Sequence, residues 1–136
     1  MQVVYALSDK HLVQLHQLYQ QEWWSEQRSL DDTRNGIAGS QLCMGLVTPQ
    51  DELVGFARVL TDYTYKAFIF DLIVRKDLRG QGLGKQLLTL IQTHDKLRRV
   101  NHFELYCLPE MAAFYAAQGF TTGLGGLQLM RYSNAL

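Results

Sequence analysis

Apolar positions along this chain fall into short runs and helical stripes. Gln2 to Leu7 reads as a short first strand. Ser8 can cap a helix whose stripe is Leu12, Leu15, Leu18 and Tyr19, spaced three and four apart on one face. Ser29-Leu30-Asp31-Asp32 reads as the start of a second helix, with Ile37 near its end and Gly39 as its stop. Leu42 to Val47 and Leu53 to Leu60 are strand-like, and the polar Pro49-Gln50-Asp51-Glu52 between them reads as a hairpin turn. Ala67 to Val74 is almost wholly apolar, which predicts a central, buried strand. Leu83, Leu87, Leu90 and Ile91 make the next helical stripe, with Leu88 beside it. His102 to Leu108 predicts a strand. Pro109 suits the first turn of a short helix running to Gln118, which Gly119 ends. Leu127 to Tyr132 predicts a last strand. The order β-α-α-β-β-β-α-β-α-β is an α/β plan with a mixed sheet. No linker, repeat or low-complexity segment divides it, so a single domain over residues 1–136 is expected.

Composition narrows the function classes. Formal net charge is zero, which argues against general electrostatic capture of nucleic acid or of an anionic membrane. Cys43 and Cys107 are far apart and lack metal-ligand spacing, so they read as reduced thiols of a cytoplasmic protein. His11, His16, His94 and His102 show no i, i+4 pairing, and no metal is expected. The N-terminus lacks a basic segment followed by a long apolar core, and no apolar run reaches membrane-spanning length.

The most informative chemistry lies where the central strand meets the next helix. After Val74 comes a short charged loop, then Arg79-Gly80-Gln81-Gly82-Leu83-Gly84-Lys85. Backbone N–H groups at a helix start without bulky side chains form an anion site, and Arg79 and Lys85 add positive charge. A Walker loop requires G-x-x-x-x-G-K-[ST]; here the glycine spacing is one residue short and Gln86 stands at the hydroxyl position. A dinucleotide fingerprint requires G-x-G-x-x-G, and Lys85 stands at its third glycine. The spacing that fits is R-x-x-G-x-G, formed by Arg79, Gly82 and Gly84. This resembles the pyrophosphate-binding signature of the GNAT superfamily of acetyl-CoA-dependent N-acetyltransferases.

A second stretch, Phe114-Tyr115-Ala116-Ala117-Gln118-Gly119-Phe120, resembles the F-Y-x-x-x-G-F end of that family's last helix. The element order agrees with the family's from end to end. The resemblance implies a mixed, mostly antiparallel sheet of six to seven strands, flanked by about four helices and splayed between its central strands. It implies an acetyl-CoA site in which the splayed edge near Leu72, Ile73 and Val74 receives the pantetheine arm. Gly80, Gln81, Gly82, Leu83, Gly84 and Lys85, with Arg79, would receive the pyrophosphate. It also implies transfer of the acetyl group to an amine of a small molecule or peptide by direct attack in a ternary complex, and it allows a homodimer. The alternative on the same fold is a non-catalytic acyl-CoA-binding sensor.

In the family the tyrosine matching Tyr115 often points at the CoA sulfur. A thiol of pKa about 8.5 leaves better with a donor nearby, although a phenol of pKa about 10 is the weaker acid, by roughly 2 kcal/mol. Tyr115 therefore serves late in bond breaking, donates a hydrogen bond, or simply packs its ring. Asp71 is the only ionisable residue from Ala67 to Val74. Strand alternation sets it on the face of Ile69 and Ile73. A buried lone carboxylate would have a raised pKa and suit a general base, whereas a salt bridge to Arg58 would lower it. A base acting through water is a further alternative. For the acceptor site the candidates are Glu22, Trp23, Trp24, Arg28, Arg58 and Asp62, the tryptophans as an aromatic wall for an amine or as core packing. Small bacterial family members carry a similar W-W-x-x-x-R stretch and an aspartate at the place of Asp71. Where many members have an asparagine after the fifth strand, this chain has Leu108-Pro109-Glu110, so the resemblance does not carry over one usual cofactor contact. Cys107 as a nucleophile is disfavoured, since no histidine is placed to activate it.

Overall fold

Two serines start the first two helices. Ser8 Oγ accepts the His11 N–H at 3.1 Å while His11 Nδ1 accepts the Ser8 N–H at 3.2 Å, a reciprocal cap that opens α1 (Asp9–Tyr19). Ser29 Oγ accepts the Asp32 N–H at 3.0 Å and opens α2 (Leu30–Ala38). The computed structural model describes residues 1–135. They divide into two compact units, Met1–Tyr106 and a second beginning at Cys107.

The first unit is built on a five-stranded sheet in sequence order: β1 (Gln2–Val4), β2 (Leu42–Val47), β3 (Leu53–Thr61), β4 (Lys66–Val74) and β5 (His102–Glu104). β1 to β4 pair antiparallel, and β5 joins β4 in parallel after the crossover helix α3 (Leu83–Gln92). The β2–β3 turn closes with Asp51 at φ 62°, and its carboxylate receives His11 Nε2 at 2.8 Å, tying the hairpin to α1. One face of the sheet packs Cys43, Val47, Phe56 and Ile73 against Leu15, Leu18 and Tyr19 of α1. A separate set of buried residues includes Leu87, Leu88 and Ile91 of α3. Each such side chain contributes roughly 1.5–3 kcal/mol by leaving water.

This is a mixed α/β fold, but its sheet has five strands rather than six or seven. Residues 121–135 hold no strand, so the one expected at Leu127 to Tyr132 is absent. Gly125 at φ 66° and Gly126 at φ 86° bend the chain just before it, and Leu127 and Tyr132 are exposed. The strand expected from His102 to Leu108 stops at Glu104. Its ladder with β4 covers three pairs, Lys66 with His102, Ala67 with Phe103 and Phe68 with Glu104. Beyond Phe68 no further β4–β5 pair is present among the described residues, so the two strands part as expected for a splayed sheet.

The second unit holds α4 (Ala112–Ala116), entered through a 3₁₀ turn over Pro109–Met111. Gly119 at φ 95° lets the Phe120 N–H return to the Tyr115 carbonyl at 3.1 Å, a left-handed helix stop. Among the described residues no helix is long and apolar enough to cross a membrane.

Candidate active site

β4 breaks its own alternation at Asp71. Phe56 stands opposite Ile73 and Arg58 opposite Phe70, so Ala57 faces two residues of β4 and the register shifts. Asp71 occupies the left-handed region at φ 59°. This is a β-bulge, and it changes which side chains share a face. Ile69 pairs with Val59, whereas Ile73 pairs with Phe56 and joins the α1 side of the sheet. Phe70 and Asp71 are sequence neighbours, yet both meet Arg58. The expected shared face of Ile69, Asp71 and Ile73 is therefore corrected by the bulge.

The Asp71 side chain is only 5% exposed and is fully engaged. Its Oδ2 accepts Tyr19 Oη at 2.9 Å, Arg28 Nη1 at 2.7 Å and Arg58 Nε at 2.6 Å. Its Oδ1 accepts Arg28 Nη2 at 3.2 Å. Burial, the largest single influence, pulls the carboxyl pKa up. The hydrogen bonds and charges of Arg28 and Arg58 together outweigh it and hold the group below the usual carboxylate range. The expectation of a raised pKa is not met; the ion pair with Arg58 is present, joined by a second with Arg28. Burial first, then Asp71, raise the Tyr19 phenol so that it stays protonated as a donor.

Arg28 is clamped by more than charge. Its guanidinium lies 4.6 Å from the Tyr19 ring centroid and 5.6 Å from that of Trp24. Trp24 also meets Tyr19 edge to face at 6.2 Å. The adjacent tryptophans thus divide: Trp24 supports Arg28, and Trp23 stands 68% exposed. Buried Ser25 donates Oγ to the Tyr19 carbonyl at 2.8 Å and folds this segment back on α1.

Arg28 and Arg58 line an open cleft of about 300 Å³ with Tyr19, Asp32, Thr33, Gly36 and Ile37; Asp32 is exposed. Gly36 lies inside α2, where a glycine costs about 1 kcal/mol relative to alanine. Its φ is not positive, and a Cβ there would meet no atom within 4 Å, so neither backbone nor packing requires glycine. Ser40 Oγ donates to the Gly36 carbonyl at 2.7 Å and accepts Arg58 Nη1 at 3.4 Å.

At the far end of β4, Gly80 at φ 79° and Gly82 at φ 83° turn the backbone into α3. Gly82 is the helix N-cap, and no side chain caps it. The first N–H groups of α3 have no intrahelical partner by construction. Cβ positions at Gly80 and Gly82 would meet nothing within 4 Å, so this cradle is bare backbone. The Arg79 side chain is turned elsewhere: it donates Nε to the Val74 carbonyl at 3.1 Å and pairs through Nη2 with Glu22. It fastens the loop to the strand end and to the segment after α1. Glu22 is thereby engaged with Arg79. Asp62, another acceptor-site candidate, spends Oδ1 on the N–H groups of Thr64, Tyr65 and Lys66 and holds the β3–β4 turn.

Within the second unit, Tyr115 meets Phe114 at 5.0 Å and Phe120 at 6.1 Å, edge to face. Burial, with a smaller effect of Cys107, pushes its phenol up to about 12. Cys107 is exposed, while burial pushes the Cys43 thiol up to about 11.

The sequence model of the acetyltransferase (GNAT) family matches residues 10–120. The chain belongs to that family. An uncharacterized N-acetyltransferase ycf52 of Gracilaria tenuistipitata var. liui is 32% identical over 76% of this chain and 58% of its own length. The ycf52 protein of Pyropia yezoensis is 28% identical over 93% of this chain and 75% of its own. The chain thus spans somewhat over half to three quarters of these relatives. A GNAT-family crystal structure from Xanthomonas campestris pv. campestris superposes with a TM-score of 0.80 at 28% identity, covering 98% of this chain and 94% of that one. An aminoglycoside 6′-N-acetyltransferase solved with coenzyme A shares the fold at a TM-score of 0.64 and 20% identity, covering 77% of this chain and 61% of that one.

In this GNAT-family chain the sequence pattern pointed to Asp71, Arg28, Arg58 and Trp24, and the fold gathers them in one cluster. It missed the hydroxyl of Tyr19, which the apolar stripe of α1 had absorbed, and Gly36. A glycine inside a helical pattern with no turn to make was the available signal for the latter.

Proposed function

We propose that this GNAT acetyltransferase transfers an acetyl group from acetyl-CoA to a primary amine of a small molecule or peptide, by direct attack in a ternary complex. The observation that carries the reading is the start of α3, where Gly80 and Gly82 adopt left-handed φ and no side chain caps the helix N-terminus. Such a cradle fits a pyrophosphate. The β4 edge beyond Phe68 is open to an extended amide chain, which suits the pantetheine arm. The coenzyme A complex of the structurally similar aminoglycoside acetyltransferase supports the same cofactor here.

Bound acetyl-CoA supplies an activated thioester. The chain's own residues then have separable tasks. Backbone N–H groups of residues 82–85 hold the diphosphate, with Lys85 adding charge. Leu72, Ile73 and Val74 offer main-chain groups along the β4 edge. Tyr115 acts as a hydrogen-bond donor to the departing sulfur. A phenol at about 12 facing a thiol near 8.5 makes full proton transfer uphill by about 5 kcal/mol, so Tyr115 keeps its proton. Asp71 holds the two arginines and Tyr19 in place. Its depressed pKa makes it a poor proton acceptor, so the amine loses its proton through water.

Thermal unfolding with acetyl-CoA tests the assignment. At 100 times its dissociation constant the ligand stabilises the fold by about 2.7 kcal/mol. Folded protein that shows no shift at millimolar acetyl-CoA overturns the reading.

A further inference from the structure

We infer that the cleft beside Arg28 and Arg58 binds the carboxylate of the acceptor, so that the substrate is a small amino acid-like molecule carrying both an amine and an acid. This rests on the acetyl-transfer reading above and adds a chemical class to it.

Charge is the first argument. Two guanidiniums converge on one carboxylate, Asp71, which leaves one positive charge in a partly buried wall. Asp32 also lines the cleft, but it is exposed, so water and salt screen the charge it sets against the arginines. Donor capacity is the second. Each guanidinium has five N–H donors in a planar fork. Asp71 takes two from Arg28 and one from Arg58, and Ser40 takes another from Arg58. Even with the Tyr19 oxygen as a further partner of Arg28, both forks keep donors for a second carboxylate.

Rigidity is the third argument. Arg28 is stacked on Tyr19 and Trp24 and gripped by Asp71, so little side-chain freedom remains to be lost on binding. Space is the fourth. The cleft, about 300 Å³, is at the small end of ligand sites, and Ile37 supplies an apolar wall for a short carbon chain. Gly36 completes the case. Neither its dihedrals nor its neighbours call for glycine, and any larger side chain there enters open space at the cleft wall. Keeping that space clear for a ligand accounts for a helix-weakening residue. A carboxylate held here shares Arg28 and Arg58 with Asp71 in the β4 bulge.

The test compares the natural amino acids, β-alanine and γ-aminobutyrate with their primary carboxamides. Acetyl-CoA-dependent thiol release gives kcat/KM, and ligand-observed NMR of the same compounds gives binding. At least one acid is expected to exceed its carboxamide at least tenfold in kcat/KM. Gly36→Leu fills the cleft while removing a glycine from a helix. It should raise the Tm, keep the acetyl-CoA thermal shift, and cut both acid binding and acid kcat/KM at least tenfold. Carboxamides equal to acids, acids unaffected by Gly36→Leu, or no acid bound or turned over by protein that does bind acetyl-CoA would each overturn the inference. An absent acetyl-CoA shift sinks the acetyl-transfer reading instead. Acid binding that is lost in Gly36→Leu would still support the carboxylate site in that case.

Discussion

Arg28 closes on Asp71 with both arms of its guanidinium, Nη1 to Oδ2 at 2.7 Å and Nη2 to Oδ1 at 3.2 Å. The two residues belong to segments that share no local structure: one lies just after the turns that follow α1, the other in a bulge of β4. Arg58 and Tyr19 complete the grip from β3 and α1. Four elements therefore meet at one carboxylate.

Asp71→Asn keeps a residue that tolerates left-handed φ but removes the charge. Breaking a buried pair typically costs 3–5 kcal/mol, and partial exposure of Arg28 lowers the expected loss here to about 2–3 kcal/mol. The Asp71 carboxyl has a folded pKa below its unfolded value. Its stabilisation is therefore complete above about pH 5 and is lost as pH falls through the folded pKa. Urea unfolding should show a constant gap between wild type and Asp71→Asn from pH 5 to 8, closing below about pH 4. A gap unchanged down to pH 2 would show that the charge is not the source.

Gly82→Ala places a Cβ on a residue at φ 83°. The left-handed conformation costs about 1–2 kcal/mol for an L-residue, and no packing contact repays it. The same Cβ would enter the cradle proposed for the diphosphate. Tm should fall by several degrees, and acetyl-CoA affinity by about tenfold or more, which is about 1.4 kcal/mol. Isothermal titration of the variant with acetyl-CoA measures the second effect directly.

Tyr115→Phe keeps the ring contacts with Phe114 and Phe120 and removes only the hydroxyl. Turnover of an accepted amine should drop by about 10- to 100-fold, with the acetyl-CoA thermal shift unchanged. Because the phenol is pushed up to about 12, wild-type activity should show no loss assignable to Tyr115 between pH 7 and 10. A basic limb in that range that disappears in Tyr115→Phe would contradict the hydrogen-bond role.

The two cysteines should differ sharply toward alkylation. Cys107 is exposed; Cys43 is buried, with its thiol pushed up to about 11. Brief iodoacetamide treatment at pH 8 should add one mass increment to the native protein and two in urea. Cleaved peptides should place the native adduct on Cys107.

What was legible in the sequence was local. Ser8 and Ser29 cap the helices they precede, because an N-cap needs only its own side chain and an N–H three residues on. Arg79, Gly82 and Gly84 identify the α3 cradle for the same reason: dihedral freedom and a helix start are encoded within a few residues. The last strand was misread because a strand exists only with a neighbour. An apolar-rich segment at residues 127–132 supplies side chains to bury but no ladder, and the glycines before it turn the chain.

Asp71 marks the boundary between the two kinds of knowledge. The sequence by itself determined that one carboxylate sits in an apolar strand just ahead of the glycine loop, and it put Arg58 forward as a partner. Only the tertiary structure decided that the strand bulges there and that Arg28 and Tyr19 join the pair. It also decided that the carboxyl is held ionised rather than poised as a base. Period-two alternation carries no information about an inserted residue. A pKa depends on charges brought near through space, which spacing along the chain does not specify.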